Sequence, residues 1–160
     1  MMNDKELETI IKELGLSITI PPQAKEAFHI VTAPPQGFPS IDIIRPNDSS
    51  KFYLISMGIL IHPNHKSAIN ELKKDEKRKF FQELTEDLLK MGVDFAFLPP
   101  GSETPDVIQV LRLVFMESLT PNEFLNTYYL VRNAGMLVIA KINNKFGNIL
   151  GDTKGLPRYV

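Results

Sequence analysis

The chain has 160 residues, 43% of them hydrophobic and 23% charged, the balance of an ordinary globular protein and a length that fits one domain. Its 18 Lys and Arg against 19 Asp and Glu leave a formal charge of -1, so no net field recruits nucleic acid or an anionic membrane. The absence of Cys excludes a disulfide framework, a thiol nucleophile and a thiolate metal site.

The segment Met1 to Glu6 is polar and lacks the basic and apolar regions of a secretory signal. The longest apolar run, Ala134 to Ala140, falls far short of the ~18 residues that a membrane span needs. A cytoplasmic protein without a membrane partner is expected.

The first predicted element is a helix from Asp4 to Leu14. Leu7, Ile10, Ile11 and Leu14 recur on one helix face, Asn3 and Glu6 have the spacing of a capping box, and Gly15 suits the position past the end. Short strand signals follow at Ser17–Ile20, stopped by Pro21-Pro22, at Ala27–Val31, and at Ile41–Arg45, stopped by Pro46. Asn47-Asp48-Ser49-Ser50 is a turn by composition, and Phe52–Ile61 is the clearest strand. The spacings predict an antiparallel meander.

Pro63 opens a helical region that runs to Met91, with a polar interruption over Lys73–Lys79 where Asp75 can cap a second segment. Strands are predicted at Val93–Leu98 and Val107–Met116. Thr120-Pro121-Asn122-Glu123 combines a capping residue, a proline at the first helical position and the acid that completes a capping box. The helix it starts is predicted to reach Lys145, although Met136–Ile142 also has strand propensity with Gly135 as a break. Residues 1–147 form the expected domain, and 148–160 a loose tail containing the loop glycine Gly151. The order is helix, three or four strands, helix, two strands, helix, in short α-β-β-β-α-β-β-α, an α+β fold of helices on an antiparallel sheet.

The strand faces depart from simple alternation. In Phe52–Ile61, one side carries Tyr53, Ile55, Met57, Ile59 and Ile61, and the other Phe52, Leu54, Ser56, Gly58 and Leu60. Val107–Met116 has Leu111, Leu113 and Phe115 opposite Ile108, Val110 and Val114, and Val93, Phe95 and Phe97 make a further apolar row. Burial of one large apolar side chain contributes roughly 1.5–3 kcal/mol, so both sheet faces need cover. Three helices and the proline loops can supply it, or a second copy or partner can. Ala134–Ala140, apolar all round, points to burial from more than one side.

Chemistry-bearing signals are sparse. His62 and His65 are three apart, a spacing open to a metal, but Pro63 makes this a strand-to-helix junction without a recognisable third ligand. His29 reads as a hydrogen-bonded sheet residue. Asp42 and Arg45 flank an apolar pair, Arg112 interrupts an apolar strand, and Arg132 and Asn133 lie within the last helix. No glycine-rich phosphate loop and no Ser, His and acid arrangement is recognisable. Acids interleave the basic run Lys73–Lys79, which reads as a solvated face.

Phe28-His29-Ile30-Val31 with Pro34-Pro35, Ile41-Asp42-Ile43-Ile44-Arg45-Pro46, Ile61-His62-Pro63-Asn64-His65, Met91-Gly92-Val93-Asp94-Phe95 and Tyr128–Gly135 together resemble, over nearly the whole chain, a mostly archaeal family known only as a domain of unknown function. That resemblance implies no activity, cofactor or site residue. The element order is also similar to type III secretion chaperones and YbjN-like proteins. This likeness implies a small dimeric protein that binds peptide or protein segments without catalysis, although secretion chaperones are usually acidic and this chain is near neutral.

The sequence-based expectation is a homodimeric, non-catalytic, chaperone-like or regulatory module. It takes a protein or peptide partner by adding a strand at a sheet edge or seating a helix in a groove, and it needs no cofactor. Tyr53, Met57, Phe95 and Phe97 are the apolar residues to watch, beside Arg112 and Arg132. The alternatives are an enzyme or small-ligand binder with a site near His62, His65, Arg112 or Arg132, and a structural subunit of a larger assembly.

Overall fold

A computed structural model describes residues 1–148. The tail expected from residue 148 onward therefore lies outside the described residues, except for Asn148. The elements are α1 (Asp4–Glu13), β1 (Ser17–Thr19), β2 (Phe28–Ala33), β3 (Ile41–Arg45), β4 (Phe52–Leu60), α2 (Pro63–Glu71), α3 (Lys74–Met91), β5 (Asp94–Leu98), β6 (Val107–Phe115) and α4 (Pro121–Phe146). The fold is α+β, with a six-stranded antiparallel sheet in the order β1-β2-β3-β4-β6-β5 and four helices. Among the described residues, no helix is long and apolar enough to cross a membrane.

The short form α-β-β-β-α-β-β-α gains two elements, both of which the sequence signals allow. Ser17–Thr19 is a fourth strand of the meander, because Ser17, Ile18 and Thr19 pair with Ala33, Thr32 and Val31 of β2. The same pairing carries β2 on to Ala33, beyond the expected end at Val31. The long helical region is two helices. Leu72 and Lys73 both take extended backbone, with ψ of 145° and 148°, which ends one helix and starts the next. Lys73, and not Asp75, is the N-cap of α3. Asp75 and Glu76 sit instead in its first turn, where they face the positive end of the helix dipole.

The described chain forms two compact units. One comprises Met1–Met57 and Leu111–Arg132; the other takes in Gly58–Val110 and residues 133–148. They are described in turn.

In the first unit, α1 begins on the expected capping box. The Glu6 amide donates to Asn3 Oδ1 and the Asn3 amide to Glu6 Oε2, each at 2.9 Å. The meander registers Ile30 against Ile43 and Ile43 against Ile55, so these residues share one face. That inner face is fully buried, with Ile30, Ile41, Ile43, Tyr53, Ile55 and Met57 all at most 2% exposed. Leu7 and Ile11 of α1, and Phe124, Tyr128 and Val131 of α4, are buried with it. The α4 capping box also forms, through Thr120 and Glu123.

The polar fastening of this unit is a buried-edge network. Asp4 accepts from Arg45 Nη2 at 2.7 Å, from Arg45 Nε at 3.1 Å and from the Tyr53 hydroxyl at 2.8 Å. Asp4 thereby joins α1 to β3 and β4. Burial opposes ionisation of Asp4, but the hydrogen bonds from Arg45 and Tyr53 and the guanidinium charge outweigh it. The carboxyl is held below its ordinary 3.8. Burial first, and then the bond to Asp4, pushes the Tyr53 phenol up, so it remains a donor.

In the second unit, Phe80, Leu84 and Leu88 give α3 a buried stripe at helical spacing, and Gly92 ends the helix at φ +71°, in the left-handed region. Helix α4 continues through Gly135, so Met136–Ile142 is helical. Ala134, Val138 and Ile142 are fully buried, whereas Met136 is 40% exposed and Ala140 is exposed. The expected all-round burial of Ala134–Ala140 does not occur in this chain. Alanine and methionine occupy the wet side because they are good helix formers there. Lys141 and Asp87 pair at 2.5 Å across α4 and α3.

The Asp4 network yields a test with a defined sign. Asp4→Asn is expected to lower the unfolding free energy at pH 7 by about 1–3 kcal/mol, because the Arg45 guanidinium loses its charged acceptor. A carboxyl with a depressed folded pKa contributes its stability above the unfolded value and loses it as pH falls through the folded value. The difference between wild type and variant therefore shrinks as pH drops from about 4 downward. Urea melts in a pH series measure it, and a pH-independent difference contradicts the assignment.

Candidate functional site

Two surfaces of the first unit stand out. The first is the outer face of its strands. Register places His29 against Ile44, Val31 against Asp42, Asp42 against Ser56, and Ile44 against Leu54. Alternation adds Phe52, and the Phe52 ring meets Phe115 edge-on at 6.4 Å, which brings Leu113 and Leu111 of β6 to the same side. Both helical segments of this unit pack on the inner face: Tyr53 reaches Asp4 of α1, and Thr32 reaches Tyr128 of α4. The outer row is left half-covered. Val31, Ile44, Phe52, Leu54 and Leu111 are half-buried, Leu113 is 36% exposed and Phe115 is 61% exposed.

One margin of this face is polar. His29 Nδ1 lies 3.2 Å from Glu26 Oε2, and its Nε2 lies 3.5 Å from Asp42 Oδ1. A hydrogen bond from its own backbone amide, followed by the one from His29, holds the Glu26 carboxyl below its ordinary range.

The second surface is a pocket of about 180 Å³ between the β2–β3 loop, the chain after α1 and one face of α4. Leu14, Leu16, Pro34 and Pro39 supply apolar walls. Leu125, Tyr128, Tyr129 and Arg132 follow at the i, i+3, i+4, i+7 spacing of a single helix face, and Gln36 lies at the loop. The Arg132 guanidinium carbon stands 4.4 Å from the centre of the Tyr129 ring. Thr32 donates to the Ile41 carbonyl at 3.1 Å, so the bond of 2.7 Å between Thr32 and Tyr128 has the tyrosine hydroxyl as donor. Burial, opposed by the Arg132 charge, raises the Tyr128 pKa, and the phenol is neutral at ordinary pH.

The structure distributes the sequence-derived candidates among different roles. Tyr53 and Met57 are 0% and 2% exposed and belong to the inner face. Arg112 is exposed on β6 and Arg132 lines the pocket, both in the first unit. Phe95 and Phe97, in the second unit, are half-buried. Their rings lie 5.8 Å apart, and Phe97 meets Phe81 of α3 at 5.6 Å. His62 Nδ1 accepts from the Asn64 amide at 3.1 Å and caps α2. His65 is 2% exposed, and its Nε2–H donates to the Gly147 carbonyl at 2.6 Å, which closes the end of α4. Its Nδ1 is buried without a hydrogen-bond partner among the described residues. The two histidines thus serve helix ends in the second unit, and no group of three or more His, Asp or Glu able to hold a metal occurs among the described residues.

The pocket residues Leu125, Tyr128 and Tyr129 and the loop residue Gln36 escape a search for charged or nucleophilic groups. Their signal is the spacing that shares a helix face with Arg132.

Comparison with known proteins bears on the fold and the family. Residues 3–142 match the family described as an uncharacterized conserved protein, DUF2299, and the chain belongs to that family. No curated protein sequence matches. A crystal structure of an uncharacterized protein from Methanothermobacter thermautotrophicus superposes with a TM-score of 0.79 at 24% identity, covering 89% of this chain and 98% of that one. At this identity the likeness establishes the shared fold.

The tyrosine that roofs the pocket gives a stability test. Tyr128→Phe removes a donor while Thr32 keeps its bond to Ile41. A loss of about 0.5–1.5 kcal/mol in a urea melt is expected, without loss of the folded state.

Proposed function

We propose that this DUF2299 chain is a non-catalytic protein-binding module that works as a homodimer, with the outer face of the first unit's strands as the surface between the two copies. The observation that carries this reading is the set of apolar side chains Val31, Ile44, Phe52, Leu54, Leu111, Leu113 and Phe115 on this face, which lies beside His29 and Asp42 and ends in a phenylalanine 61% exposed. With large aromatic side chains of about 150–250 Å² each, the uncovered part of this row amounts to roughly 300–400 Å². Patches of that size on single chains are commonly functional.

A second copy is the occupant that the chemistry favours. A stable interface takes about 800 Å² from each partner, somewhat more than half of it apolar, so the row matches the apolar centre of such a surface. A two-fold contact sets the same patch against itself. The net charge of -1 adds little repulsion between copies. This support comes from the sheet face and not from the element order, which has one strand and one helix more than the secretion-chaperone pattern.

Light scattering at micromolar protein is expected to return twice the 18.1 kDa chain mass. Phe115→Glu, at a site exposed in the single chain, is expected to keep its circular dichroism spectrum and return the mass of one chain. A wild-type mass of one chain overturns the reading, as does a variant that dimerises as well as wild type.

A further inference from the structure

The second unit has a cavity of its own, of about 360 Å³, where α2 meets α3. That volume lies near the lower end of the range for small-ligand sites. The basic run of the sequence divides here. Lys74, Lys77 and Arg78 recur with Phe81 at the i, i+3, i+4, i+7 spacing of one α3 face and line the cavity, whereas Lys79 stands outside it and pairs with Glu83 at 4.0 Å. We infer that this cavity binds a small phosphate monoester with an apolar or aromatic body, the phosphate held by Lys74, Lys77 and Asn70 and the body lying against Leu72 and Phe81.

Three features select that class of ligand. The first is charge. Lys74 makes no hydrogen bond or ion pair among the described residues. Lys77 Nζ lies 3.9 Å from Glu103 Oε2, beyond hydrogen-bond reach, and Glu103 is exposed, so its hold on the ammonium is weak. Arg78 is already paired with Asp75 at 2.9 Å, which leaves the two lysines as the cations for a ligand. A phosphate monoester, with its second pKa near ~6, is mainly a dianion at neutral pH and matches two ammonium groups, where a sulfonate or a carboxylate matches one. The second feature is the polarity of the amide. The Thr104 hydroxyl donates to Asn70 Oδ1 at 2.6 Å, which occupies that acceptor and leaves the amide N–H groups as donors for an oxyanion. The third is the apolar floor. Phe81 is half-buried, and its ring meets Phe80 at 5.2 Å and Phe97 at 5.6 Å, both edge-on, so the floor is set before a ligand arrives.

The test is an amide NMR titration of the intact chain with phenyl phosphate, inorganic phosphate and benzenesulfonate, at about pH 7.5 where the monoester is a dianion. Phenyl phosphate is expected to shift the amides of Asn70, Leu72, Lys74 and Phe81 saturably at millimolar concentration. Inorganic phosphate, which lacks the ring, and benzenesulfonate, which has one charge, are each expected to bind several-fold more weakly. Lys74→Gln is expected to weaken phenyl phosphate roughly tenfold. Glu103→Gln removes the carboxylate that competes for Lys77 and is expected to tighten binding about two- to threefold. Lys79→Gln makes the same charge change outside the cavity and is expected to leave the affinity within about twofold of wild type. All three substitutions fall on exposed side chains, so the dispersed spectrum of the folded chain is expected to persist. Shifts that avoid the cavity, a sulfonate or an inorganic phosphate that binds as tightly as phenyl phosphate, Lys74→Gln no weaker than Lys79→Gln, or Glu103→Gln no tighter than wild type overturns the inference. The cavity shares no residue with the sheet face of the first unit, so none of these outcomes depends on oligomeric mass.

Discussion

A β-strand has two faces, and the first unit has helical cover for one of them. The inner row from Ile30 through Ile43 to Ile55 and Tyr53 is closed by α1 and by the first half of α4, and the charged end of α1 is fastened through Asp4 to Arg45 and Tyr53. That closure settles everything downstream. It fixes which residues of each strand face outward, since register shares a face among paired residues. It also sets the α4 stripe of Leu125, Tyr128, Tyr129 and Arg132 at the mouth of the β2–β3 loop, where the pocket forms.

Most of the architecture was legible where local rules and burial agree. The capping boxes at Asn3 and Thr120 formed as their spacing requires, and β3 has the bounds that its flanking proline and turn imply. Helix α4 runs through Gly135 because the buried positions Ala134, Val138 and Ile142 keep helical spacing across it, which outweighs the strand propensity of the following residues. The differences arise where distant pairing decides. The strand signal at Ser17–Ile20 leaves the count at three or four, and pairing with β2 makes Ser17–Thr19 the fourth. The break at Leu72 and Lys73 is a backbone turn that no capping side chain signals.

The candidate sites were legible in part. The apolar outer row was visible as Phe52 and Leu54 on one strand and Leu111, Leu113 and Phe115 on another, but which of two apolar faces stays open depends on where the helices dock. Arg132 stood out as a charge within an apolar helix. Its partners did not, because Leu16, Gln36 and Pro39 come from loops that only the fold brings to that helix. Histidine scarcity drew attention to His62 and His65, whose roles at helix ends rest on the Asn64 amide beside one and on the Gly147 carbonyl, 82 positions from the other.

The margins of the sheet have a consequence of their own. Its outermost strands are β1, three residues long and followed by Ile20 and two prolines, and β5, five residues long and stopped by Pro99 and Pro100. A foreign strand laid along either margin finds a short run of unpaired backbone groups before a residue without an N–H interrupts it. Lateral growth into ribbons is thereby discouraged at both ends. Short margins of this kind are one of the devices by which sheets with apolar faces limit edge-to-edge pairing.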